Sequence, residues 1–189
     1  PSAKRDIKER GEAKTEEDRK IARRFGREFF DGERRNGYGG FSYHSRFWQP
    51  VAPAFQQHFG LQAGDSLLDV GCAKGFMLHD FAEMIPGLRV AGIDISEYAI
   101  ENAMEDMQPH VEVGDARSLQ FSNNSFDVVV SINTIHNLNR EECVGALREI
   151  ERVSRRGAFV TVDAYRNDEE KEAMFAWNLT AQTILHVDD

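Results

Sequence analysis

The stretch Leu67-Leu68-Asp69-Val70-Gly71-Cys72-Ala73-Lys74-Gly75-Phe76 decides the fold. A short apolar run reaches an acid and a cluster of small residues, and then Phe76, Leu78 and Phe81 lead into a helical segment. That order reads as a strand turning tightly into a helix. Small residues in such a turn let the backbone approach a ligand, and the helix N-terminus presents free N–H groups to it. The phosphate-loop pattern G-x-x-x-x-G-K-[ST] is absent. The dinucleotide pattern G-x-G-x-x-G is also broken, because Ala73 takes its second glycine position and Phe76 its third. What remains is Gly71 and Gly75 with Ala73 between them, just after Asp69.

Outward from this turn, β-rich runs recur at Ser66–Val70, Arg89–Asp94, His110–Val113, Phe126–Ser131 and Ala158–Asp163. Helical segments alternate with them at Gly75–Ile85, Glu97–Met107, Arg140–Val153 and Asp168–Trp177. Strands alternating with helices predict βαβ units, a mostly parallel sheet and right-handed crossovers. Val128-Val129-Val130 and Phe159-Val160-Thr161-Val162 are continuous apolar runs, as strands buried on both faces require. The expected class is α/β, doubly wound, with helices on both faces of the sheet.

The 189 residues suit one such domain, read as residues 51–189, preceded by a cap segment over residues 1–50. A composition of 41% hydrophobic and 29% charged residues excludes a disordered chain. No apolar run is long enough for a membrane span, and two cysteines make no disulfide framework, so a cytoplasmic protein is expected. Residues 1–36 carry twelve Lys/Arg against nine Asp/Glu, whereas residues 37–189 carry eleven against twenty-three. Such an acidic body is a poor surface for nucleic acid, which needs clustered cations.

The cap begins with a segment, Pro1 to about Lys20, that is polar all round and reads as a frayed helix or disorder. Ile21, Phe25 and Phe29 then return at helical spacing, predicting a helix over Ile21–Phe30. Next comes Asn36-Gly37-Tyr38-Gly39-Gly40-Phe41-Ser42-Tyr43-His44, with Phe47 and Trp48 behind it. Glycines interleaved with aromatics make either a rigid plug at the core edge or a lid that orders over a ligand.

Asp-x-Gly-x-(Gly/Ala)-x-Gly at Asp69–Gly75 resembles motif I of the class I S-adenosylmethionine-dependent methyltransferases, whose fold is Rossmann-like. The resemblance runs over roughly residues 51–165 and is closest to the small-molecule type. It implies S-adenosylmethionine as cofactor, a small-molecule acceptor and no metal. Asp69, Gly71, Cys72, Ala73, Gly75 and Phe76 would form the cofactor turn, with Asp69 accepting turn N–H groups or the cofactor amine. Lys74 is expected to point to solvent, since this cofactor has no phosphate to grip. Gly92-Ile93-Asp94-Ile95-Ser96 is similar to the second-strand end, where Asp94 would accept the ribose hydroxyls and Ile95 would lie beside them. Gly114-Asp115-Ala116 resembles the third-strand motif, which puts Asp115 and Ala116 at the adenine. Phe126–Asn133 resembles the fourth-strand motif, with Ser131 and Asn133 at the cofactor. The aromatics Tyr38, Phe41, Tyr43 and Trp48 suit a sulfonium. His136 and His44 are candidate bases, with Tyr38 a further catalytic candidate. The family's closing antiparallel hairpin is missing after Trp177, where only Ile184–Val187 offers a strand. A bare sheet edge is therefore expected, covered by a second copy, a swapped element or the N-terminal segment.

Overall fold

The computed structural model describes residues 14–189; most of the polar segment expected to fray therefore lies outside the described residues. Five parallel strands form the sheet: β1 (Ser66–Val70), β2 (Arg89–Asp94), β3 (Val111–Val113), β4 (Phe126–Ile132) and β5 (Ser154–Thr161), in the order β3-β2-β1-β4-β5. The order reverses between β1 and β4, so their carboxyl ends open onto the crevice where doubly wound sheets bind ligands, with the end of β2 next to it.

Alternation along β1 and β4 divides the core between the two faces. Leu67, Val128 and Val130 pack with Phe55, Leu78, Phe81 and Ile85. These come from α3 (Ala52–Phe59) and α4 (Phe76–Met84) and the residue that ends it. Leu68, Val70 and Val129 pack on the other face with Ala146, Ile150 and Val153 of α6 (Arg140–Val153). Both clusters are buried, and Val128–Val130 of β4 is covered on both faces as expected, whereas Phe159 and Val162 of the Phe159–Val162 run, expected to be buried likewise, are exposed. Asn139 caps α6 by accepting from Glu142 N–H while Glu142 returns the bond, a reciprocal pair that explains the sharp start at Arg140.

Three elements differ from their sequence expectation. The helix over Ile21–Phe30 is two short helices, α1 (Glu16–Ala22) and α2 (Arg27–Phe30), because Phe25 adopts φ 49° and Gly26 follows it. The helix after β2 closes early, as α5 (Glu97–Glu101), and a 3-10 turn at Gln108–His110 completes the crossover to β3. Strand β5 begins at Ser154, directly after α6, so Arg155 and Arg156 lie on it. Both pair with Asp127, a buried acid that also accepts from the Ser66 N–H and hydroxyl.

Beyond β5 come β6 (Ala164–Tyr165), α7 (Asp168–Trp177) and β7 (Leu185–His186). β6 and β7 pair in parallel as a separate two-stranded ladder. Among the described residues no strand pairs with the outer side of β5. Among them, too, no helix is long and apolar enough to cross a membrane.

Candidate functional site

The turn after β1 is built around close contacts. Gly71 and Cys72 both donate N–H to the Ile93 carbonyl, at 2.8 and 2.9 Å, which draws the turn onto the end of β2. Gly71 has φ 92°, and a Cβ there would fall inside the Thr134 side chain. Ala73 takes φ 48°, a left-handed backbone that glycine adopts without cost and alanine adopts at about 1–2 kcal/mol. Cys72 is buried and inert, its thiol raised well above its ordinary value by burial and by the acids beside it.

Two acids meet at this turn. Asp94 accepts N–H groups from Ala73 and Ser96, both at 2.8 Å, so it fixes the turn as well as facing the crevice. Ser96 caps α5 by accepting from Ala99 N–H, leaving Asp94 free of that role. Asp69 is buried with no donor among the described residues; the turn amides it might have accepted go to Ile93 and Asp94 instead. Burial, and then the charge of Asp94, push its carboxyl up to about 8. A buried acid without donors, Asp69, beside the partly satisfied Asp94 fits a ligand that brings an ammonium group and hydroxyls.

This arrangement has a pH signature. Asp69 is mostly protonated at pH 7 in the ligand-free protein, and an ammonium partner favours its ionised form. Binding of S-adenosylhomocysteine at pH 7 should therefore release up to about one proton, and affinity should rise with pH toward 8. Calorimetry in buffers of different ionisation enthalpy measures this release; Asp69→Asn should abolish it. The raised pKa also works on folding: this contribution to stability is full below pH 4 and is lost as pH rises through about 8.

The other expected residues are placed unevenly. Ile95 lies beside Asp94 and is 53% exposed, an apolar face open for a flat ring. Asp115 is held by Arg117 through its guanidinium at 2.6 to 3.0 Å, and Arg117 also reaches Glu142. Ala116 packs against the second core cluster. Ser131 is fully buried and donates to the Val70 carbonyl at 2.9 Å, tying β4 to β1. Asn133 has φ 51° and accepts from Thr161 Oγ1 through its side-chain oxygen. His136 is buried; its Nδ1 accepts the Asp163 N–H at 3.0 Å, and its carbonyl accepts from Gln182 and Thr183. Burial lowers its pKa despite the nearby Asp163. His44 is exposed on the cap, edge-on to Phe47.

The cap is packed onto this site. Phe41 stacks on Phe76 of α4 at 5.0 Å, and Tyr38 lies 4.4 Å from Phe41, centroid to centroid. Tyr38 is 44% exposed, and enclosure of its phenol, then the charge of Asp94, raise its pKa. Tyr43 donates to Asp80 at 2.6 Å, and this bond, with burial, raises Tyr43 to about 12.

Lys74 overturns its expectation. It is buried rather than solvent-facing, with its ammonium 2.6 Å from Asp31 and 3.0 Å from the Phe41 carbonyl. Sequence reasoning also passed over Asp31, Tyr98 and Asp80. His79, Asp80 and Glu83 bring one donor atom each within 4.8 Å of one another. His79 there meets Asp106 at 2.6 Å.

Known proteins share this frame. The sequence model of a family described as "Methyltransferase domain" matches residues 67–157. The mitochondrial arginine-hydroxylase NDUFAF5 of Mus musculus is 34% identical over 38% of this chain and 21% of its own length. The nocamycin O-methyltransferase of Saccharothrix syringae is 35% identical over 45% of this chain and 33% of its own. The chain thus spans a fifth to a third of the length of these curated relatives. A methyltransferase solved in complex with the Haloferax volcanii Trm112 methyltransferase activator superposes with a TM-score of 0.59 at 24% identity, over 76% of this chain and 65% of that one. With the glycine turn on β1, an acid ending β2 and the 3-2-1-4-5 strand order all in place, residues 67–157 carry a methyltransferase domain of the class I S-adenosylmethionine-dependent type.

Proposed function

We propose that the chain transfers a methyl group to a small-molecule acceptor. The observation that carries this reading is the donor-free, buried Asp69 beside Asp94, at the turn Gly71 draws onto β2. S-adenosylmethionine, when bound, supplies a methyl group already activated on a sulfonium. Asp69 would hold its ammonium and Asp94 its ribose hydroxyls, with Ile95 against the adenine. Asp115 would reach the adenine amine from its place on Arg117. Tyr38 and Phe41 would exclude water, so that in-line displacement needs chiefly alignment of the nucleophile. Where the acceptor must lose a proton, His44 is the candidate base. Its ring is exposed on the cap, whereas the Nδ1 lone pair of His136 already accepts a backbone N–H.

Labelled methyl groups from S-adenosylmethionine should appear in a small-molecule fraction when the protein is mixed with a metabolite extract. Label confined to macromolecules would overturn the acceptor class. S-adenosylhomocysteine binding without any labelled product would favour a cofactor-binding module without catalysis. The relative named an arginine-hydroxylase carries a name that is not a methyltransferase, so a different reaction on this frame is a further outcome of the same assay.

A further inference from the structure

Asp31 is the centre of a junction that no motif announces. Its Oδ2 receives the Lys74 ammonium at 2.6 Å and the Tyr98 hydroxyl at 2.8 Å, while its Oδ1 accepts the Phe41 N–H at 2.9 Å. Lys74 also donates to the Phe41 carbonyl at 3.0 Å and lies 5.8 Å from the centre of the Tyr98 ring. Three segments therefore meet at one carboxylate: the cap, the glycine turn after β1 and helix α5 after β2. The Lys74 side chain is 10% exposed and that of Asp31 27%, so water screens this pair weakly. Burial opposes the charge on Asp31, but its three donors outweigh burial and hold the carboxyl at about 2. Around the junction Phe30 stacks on Tyr98 and Phe41 stacks on Phe76.

We propose that Lys74 and Asp31 are positioning residues of the cofactor site, fastening the aromatic cap across the glycine turn so that the crevice is walled before a ligand arrives. The inference rests on the cofactor reading above and adds to it why a lysine occupies the turn. The cation serves the protein's own acid instead of a ligand phosphate. Neither side chain touches the cofactor in this scheme. Each acts through Phe41, Tyr38 and the turn backbone.

The test combines calorimetry with S-adenosylhomocysteine and hydrogen exchange of the ligand-free protein, on Lys74→Met, Asp31→Asn and the double variant. Each single variant should weaken binding about tenfold, and the double variant should be little worse than either, since one contact is lost only once. Exchange across residues 36–48 should quicken in every variant while β1 and β4 stay protected. Lys74→Arg, which keeps the charge, should recover part of the affinity, a rescue that loss of packing alone would not yield. Unchanged affinity and exchange in Lys74→Met, or additive losses in the double variant, would overturn the proposal. Should Lys74→Met fail to fold, the isosteric Asp31→Asn decides by the same readouts. A wild-type chain that does not bind S-adenosylhomocysteine defeats the cofactor reading instead. Quickened exchange in the variants would then still establish the fastening, and unchanged exchange would remove it.

Discussion

Replacing Asp94 with Ala should lower S-adenosylhomocysteine affinity roughly hundredfold, measured by calorimetry, while the sheet persists by circular dichroism. An ionised carboxylate has about four acceptor sites. In Asp94, one site on each oxygen is taken by the Ala73 and Ser96 N–H groups. The remaining sites suit two ribose hydroxyls. Two charge-assisted bonds at about 1.5 kcal/mol each amount to about 3 kcal/mol, hence the hundredfold. The substitution also strips the turn of its acceptor, so a melting point lower by a few degrees should accompany the loss. Affinity within threefold of the wild type would remove Asp94 from the ligand.

Gly71→Ala should cost several kcal/mol of stability, about 3 or more, in denaturant unfolding. The added Cβ would meet Thr134 Oγ1, Cγ2 and Cβ, and φ 92° is strained for any L side chain. Relief is specific: Thr134→Gly removes the atoms struck and should return part of the stability in the double variant. The remainder, about 1–2 kcal/mol, is backbone strain that no neighbour can relieve. Equal stability of Gly71→Ala and the wild type would mean that the turn does not press on the β4 loop.

Much of this molecule was legible from residue order. The strands at Ser66–Val70 and Arg89–Asp94 and the helices at Arg140–Val153 and Asp168–Trp177 lie where the sequence reading put them. Local signals bound these elements: the small-residue turn after Val70, the acid-and-serine stop after Ile93, and the Asn139 and Asn167 caps. The start of β5 was misread because α6 enters it without a loop, and Arg155 and Arg156 look unlike strand residues until their partner Asp127 is in view.

Local composition and period by themselves determined the sheet, its parallel crossovers, the crevice and the two acids beside it, because those properties depend on spacings of a few residues. Tertiary structure decided what each polar group does there. Lys74 turns inward because Asp31, far earlier in the chain, folds back over it, and burial makes an unpaired ammonium costly. Ser131 and His136 carry groups that read as available, yet the Ser131 hydroxyl and the His136 Nδ1 are engaged by backbone partners from β1 and from the segment after β5. Asp69 is the reverse case: its neighbours in sequence could have satisfied it, and only the fold directs their N–H groups elsewhere. A side chain's chemistry is intrinsic, but its availability depends on which donors and acceptors the fold brings within about 3 Å of it.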